Sequence, residues 1–183
     1  MRCQPNRNYT SDDVVQTPPE MARRLVRHFA PSGEILEPCC GQGHFLKALP
    51  SGTHWCEISR GKDFFSWDKP VDWIITNPPW SQIRRFLGHS MEVANHIVFL
   101  MTVNHAWTKA RLRDAREQGF GIREIALLEM PLCFPQSGFQ LGAVYYARGW
   151  DGDISFTDLS RPLPTRRNRA GVLNRQRLEP AGT

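Results

Sequence analysis

The chain of 183 residues lacks any stretch that could cross a membrane. No apolar run exceeds the five residues "IVFLM" at 97–101, against the roughly 20 that span a bilayer. Residues 1–15 are polar and carry no signal-like apolar core, so the chain is expected to stay in the cytoplasm. Cysteine is sparse and unpaired in pattern. The five (Cys3, Cys39, Cys40, Cys56, Cys133) are odd in number and contain no CxxC spacing, which argues against a disulfide framework and a zinc knuckle alike. Adjacent Cys39 and Cys40 cannot easily close an unstrained disulfide. The six histidines include no HExxH-type pairing, and none is assigned a catalytic role.

Acid is nearly missing from one end. From 160 to 183 only Glu179 faces six arginines (Arg161, Arg166, Arg167, Arg169, Arg175, Arg177), while residues 1–159 hold 17 basic and 17 acidic groups, so the whole excess of +5 lies in the tail. Three prolines and few apolar side chains mark 160–183 as a basic, flexible tail behind a single domain at 1–159. Such an arm either adds sequence-independent attraction to nucleic acid phosphates or merely solubilises the chain.

What is present is an ordinary globular composition, 40% apolar with mean hydropathy −0.44. Short apolar, β-branched runs at 34–37, 54–58, 73–76, 96–103, 124–130 and 142–148 alternate with helix-like stretches at 18–29, 45–48, 81–92 and 108–118. The interleaving predicts an α/β fold with a mostly parallel open sheet, whose last two strands, lacking a helix between them, pair antiparallel. In "QTPPEMARRLVRHF" Thr17 suits an N-cap, Pro18 the first helical position and Glu20 the third, a capping-box pattern.

Two segments carry chemistry. "ILEPCCGQGHF" (35–45) is a strand ending in Glu37 and Pro38, then turning through Gly41 and Gly43, where the backbone can approach a ligand closely. A dinucleotide fingerprint needs a third glycine at position 46, which is Leu46, so phosphate cradling is disfavoured and the acid suits a cationic ligand instead. Glu57, at the end of the next strand, is placed to accept from ribose hydroxyls, and Asp63 in "GKDFF" from an adenine amino group. The second segment is "DWIITNPPWS" (72–81), a buried strand that runs into an amide, two rigid rings and an indole.

In the order "QTPPEMA", "EPCCGQG", "CEIS", "KDFF", "NPPW", the chain from about 13 to about 150 resembles the class I S-adenosylmethionine-dependent methyltransferases, chiefly the N6-adenine DNA type. The resemblance implies a Rossmann-like fold and S-adenosyl-L-methionine as cofactor, held by Thr17, Pro18, Glu37, Pro38, Gly41, Gly43, Glu57, Ile58, Asp63 and Phe64. It implies catalysis by Asn77, Pro78, Pro79 and Trp80. The Asn77 side-chain oxygen and the Pro78 carbonyl would accept the two N–H groups of a planar amine, directing its lone pair at the methyl carbon, with the prolines fixing the corner and Trp80 stacking on a flipped base. In "PLCFPQSGFQLGAVYY", which resembles the region that closes over the target base, Phe134 or Phe139 is a second stacking face or a core residue. Arg84 and Arg85 are candidates for phosphate contacts; for Lys109, Arg111, Arg113 and Arg116 a solvated helix face is the expectation.

One departure stands out. Only five residues separate Glu57 from Asp63, where the family inserts a helix leading to a further strand. Either the sheet is one edge strand short, or Glu57 is not the ribose ligand. No separate target-recognition domain is expected, which implies loose selectivity or selectivity borrowed from a partner. DNA is the expected partner, RNA the alternative, a membrane is not expected, and the oligomeric state is left open. The rival readings are an RNA adenine methylase, a protein glutamine methylase, and a binding module without turnover.

Overall fold

In the computed structural model, which describes residues 15–136 and 138–160, seven strands form one sheet. They are β1 (Ile35–Glu37), β2 (His54–Trp55), β3 (Val71–Thr76), β4 (Ala94–Thr102), β5 (Phe120–Leu128), β6 (Leu141–Arg148) and β7 (Ser155–Asp158), in the spatial order β2-β1-β3-β4-β6-β5-β7. The pairs β1–β2, β1–β3, β3–β4 and β5–β7 are parallel, and β6 alone runs against its neighbours β4 and β5. A parallel sheet has to be covered on both faces. Accordingly β4 reads as a continuous apolar run: Ile97 and Phe99 pack toward α2 (Ile83–Val93) and α3 (Lys109–Glu117), while Val98 and Leu100 pack toward α1 (Pro19–Phe29). Ile74 and Ile75 on β3 divide between the two sides in the same way.

Several expectations change in detail. The helix does not start on a Thr17 cap: Pro18 is the N-cap, Pro19 opens the helix and no side chain caps it. Thr17 and Pro18 each precede a proline, which disfavours helical backbone at both, and Pro18 is extended (ψ 139°), so the helix begins at Pro19. Residues 45–48 are not a helix but part of a chain of turns, with Lys47 N bonded to Gly43 O yet Ala48 N to Phe45 O. Positive φ at Gly41 (47°) and Gly43 (76°) breaks the regular path just upstream. Strand β2 stops at Trp55, and the sheet ends there among the described residues. Ile58–Arg60 and Phe64–Ser66 are 3-10 turns, joined by a bridge between Glu57 and Lys62. The edge is therefore short, as the tight Glu57–Asp63 spacing suggested. At the opposite edge β7 was not anticipated: "SFTD" is mostly exposed and too short to stand out as a strand. The basic segment 161–183 lies outside the described residues.

Two polar groups tie the layers together. Arg148 at the end of β6 donates from Nη2 to the carbonyls of Met91 (2.5 Å) and Ala94 (3.1 Å), closing the C-terminus of α2, while its guanidinium lies 4.5 Å from the Phe120 ring centre. Glu37, only 1% exposed, ends β1 and accepts from the Thr76 hydroxyl of β3 and the Cys39 backbone N–H at 3.4 Å; its Oε2 has no partner. Burial outweighs those hydrogen bonds and pushes its carboxyl from 4.5 up to about 8.

Arg148→Met should lower the unfolding free energy by about 1.5–3 kcal/mol, the net worth of a hydrogen bond from a charged group. Arg84→Met, which removes an exposed pair with Asp114, should leave the urea midpoint in place. Because folded Glu37 keeps a proton that the unfolded chain releases above pH 4.5, stability should fall as pH rises toward about 8. Glu37→Gln removes that loss, so urea midpoints of the variant should gain on the wild type between pH 5 and pH 8; a constant difference would contradict it.

Candidate active site

The chain leaves β1 for β2 on one side and returns through β3 on the other, so the carboxyl ends of β1 and β3 flank the point where strand order reverses, the usual crevice for a ligand in an open α/β sheet. A cavity of about 660 Å³ opens there. The Gly41 loop forms its floor, Glu57 to Phe65 one wall, and Asn77, Pro79 and Gln82 another.

Of the cofactor candidates, Thr17, Pro38, Gly41, Glu57, Ile58, Asp63 and Phe64 lie on this cavity, while Pro18, Glu37 and Gly43 do not line it. Glu57 is committed locally. Its carboxylate accepts from Ser59 N (3.1 Å), Ser59 Oγ (2.7 Å) and Gly41 N (2.7 Å), using three of the roughly four acceptor sites a carboxylate has. Partial burial works to raise its pKa, but the bonds from Ser59 and Gly41, with the charge of Arg60, outweigh it and hold the group ionised below its ordinary range. Asp63 accepts from Phe65 N at 3.0 Å and so starts the second 3-10 turn. Between the two acids Ile58 is 72% exposed, an apolar surface at the cavity rim.

The second wall carries the amide. Asn77 donates from Nδ2 to the Val15 carbonyl at 3.1 Å, and its Oδ1 is buried without a partner. Behind it a polar relay runs between strands: Glu37 accepts from Thr76, Thr76 Oγ1 is 2.9 Å from Cys39 Sγ, and Cys39 donates to the Asn77 carbonyl at 3.4 Å. Burial, reinforced by Glu37, pushes the Cys39 thiol well above its ordinary pKa, so it stays protonated and able to donate. Pro79 lines the cavity; Pro78 is buried and does not. Trp80 also lies off the cavity, half-buried, with its indole N–H on the Leu100 carbonyl (3.2 Å) and Phe134 edge-on at 5.9 Å.

The remaining candidates separate. Phe134 is 2% exposed and serves as Trp80's packing partner, whereas Phe139, 55% exposed, borders a different hollow beside Met130 and Ser160. Arg84 is paired in two bonds with Asp114. Arg85 faces the cavity and covers the Phe65 ring at 3.6 Å, so its nearest partner is aromatic. Val15, Gln16, His44 and Phe65, all on the cavity, were not singled out from sequence. Gln16 and Phe65 each adjoin a chosen motif residue, and that adjacency was the available signal.

No protein-family model matches the chain, and no curated protein matches it. Solved structures do. A candidate RNA methyltransferase from Pyrococcus horikoshii aligns with 80% of this chain and 91% of its own at 13% identity and TM-score 0.57. A candidate class I S-adenosylmethionine-dependent methyltransferase from Listeria monocytogenes aligns with 91% of this chain and 72% of its own at 14% identity and TM-score 0.59. The M protein of the type I restriction enzyme EcoKI matches 86% of this chain at 13% identity and TM-score 0.59, this chain spanning 51% of it. The chain thus has the Rossmann-like fold of class I methyltransferases, a mostly parallel sheet carrying one reversed strand.

Proposed function

We propose that the protein is an S-adenosylmethionine-dependent methyltransferase acting on the N6 amino group of adenine in DNA. The observation that carries this reading is that Asn77, the first residue of "NPPW", lines the cavity and has its side-chain Oδ1 buried without a partner. A buried acceptor left empty costs about 1–3 kcal/mol, and an incoming amino N–H would satisfy it.

The cavity residues fit the cofactor. Its walls offer an ionised Glu57 with an acceptor site to spare for a ribose hydroxyl, Asp63 toward the base side, and Ile58 as a face for a planar ring. Among the described residues that line the cavity the one arginine, Arg85, lies over Phe65, and no lysine joins it as a pyrophosphate clamp. S-adenosylmethionine would supply a methyl group on a cationic sulfonium. The chain's own part is to grip the acceptor nitrogen. An adenine amino group is a weak nucleophile because its lone pair is delocalised into the ring, and accepting its hydrogens at Asn77 Oδ1 and the Pro78 carbonyl favours a pyramidal nitrogen without a side-chain base. Preorganised dipoles of this kind act through position rather than matched pKa. Trp80, immobilised by Leu100 and Phe134, would offer a stacking face for an unstacked base, worth about 1–3 kcal/mol.

The likeness to EcoKI M protein and the basic segment 161–183 support DNA as substrate; the likeness to the Pyrococcus structure favours RNA as the second reading. Incubation with labelled S-adenosylmethionine and a panel of double-stranded DNA, single-stranded DNA and RNA, followed by nucleoside mass analysis, should yield N6-methyl-2′-deoxyadenosine from DNA; label only in RNA selects the second reading, and label in neither defeats both. Asn77→Ala should reduce transfer by roughly 10²-fold or more, as for a lost preorganised hydrogen-bonding group, while cofactor affinity measured by calorimetry stays unchanged.

A further inference from the structure

A side-chain amide has two chemically different ends related by a flip, and only one of them can accept a hydrogen from a substrate amine. In Asn77 the choice is made by the Val15 carbonyl. It takes the Nδ2 hydrogen at 3.1 Å, and a flipped amide would set two oxygens against each other, so Oδ1 is held on the opposite side, buried and without a protein partner. The carbonyl lies 62 residues away in sequence, and its place depends on what holds the segment 15–17.

That segment is clamped beside the carbonyl. Gln16 Oε1 accepts the Gln42 backbone N–H at 3.1 Å, and its amide lies close against Gly41, where an added Cβ would come within 2.6 Å of Oε1. Gly41 thus serves the strap as well as the turn. Two residues after Val15, the Thr17 carbonyl lies 2.6 Å from His44 Nδ1. Both anchors are in the loop after β1, so the strap joins the glycine loop to the catalytic corner after β3.

We propose that the Val15 carbonyl sets the orientation of the Asn77 amide and that Gln16 is a positioning residue for methyl transfer, acting through it. The inference rests on the role given to Asn77 above. Gln16→Met keeps length and removes the acceptor; Gln16→Glu keeps an oxygen for the Gln42 N–H. The first readout needs no substrate: the side-chain amide resonances of Asn77, identified by their loss in Asn77→Ala. Their exchange with solvent should quicken about tenfold in Gln16→Met, the worth of one hydrogen bond, and stay near the wild-type rate in Gln16→Glu. In the methyl-transfer assay kcat should drop about tenfold in Gln16→Met with KM for S-adenosylmethionine nearly unchanged, and Gln16→Glu should restore it. Unaltered Asn77 resonances in Gln16→Met, or a raised KM with kcat intact, would overturn the proposal and leave Gln16 as plain cavity wall. If the wild type transfers no methyl to any polymer, the functional reading fails on its own, and the resonances still decide whether Gln16 orients the amide.

Discussion

The site depends on the parallel pairing of β1 with β3, fixed by the register Ile35 with Trp73 and Leu36 with Ile74. Because the strands run the same way, their carboxyl ends finish side by side, and the two candidate segments, 37–45 and 76–80, are brought to one rim although 30 residues of chain lie between them. A slip of one residue would turn Ile74 and Ile75 to the wrong faces. Their complete burial on opposite sides makes that slip costly, so the core specifies the site's geometry.

Across the rim the two strand ends are joined by polar atoms rather than by apolar packing alone. The Thr76 hydroxyl bonds to Glu37, Cys39 lies against both Thr76 and the Asn77 carbonyl, and the carboxyl beneath is kept neutral near physiological pH by its burial. A neutral acid there avoids leaving an unpaired charge in the core. A cation brought near the glycine loop would favour its ionised form, so the same group is stable when buried and responsive to a positive ligand.

The sequence made the sheet legible wherever a strand was long and apolar, as at Ile97–Met101, and wherever the motif spacing bore on topology, as at the short link from Glu57 to Asp63. It was misleading where backbone restriction outweighed side-chain preference. Thr17 has the chemistry of a cap, but consecutive prolines push the start of α1 past it. β7 was invisible because its four residues bury almost nothing. For the site, the motifs located Gly41, Glu57, Asp63 and Asn77 on one cavity. They could not tell that Glu37 does not line it, that Phe134 is Trp80's support, or that Arg85 rests on Phe65, since each depends on which way a side chain turns in three dimensions.

The truncated edge beyond β2 has its own consequence. The wall bearing Glu57 and Asp63 is made of two 3-10 turns, each started by its own acid bonding two residues ahead; among the described residues no further strand pairs beside it, and Glu57 and Arg60 tie it to Gly41 instead. Such a wall, built of turns rather than paired strand, can change its length or shape without re-registering the central strands.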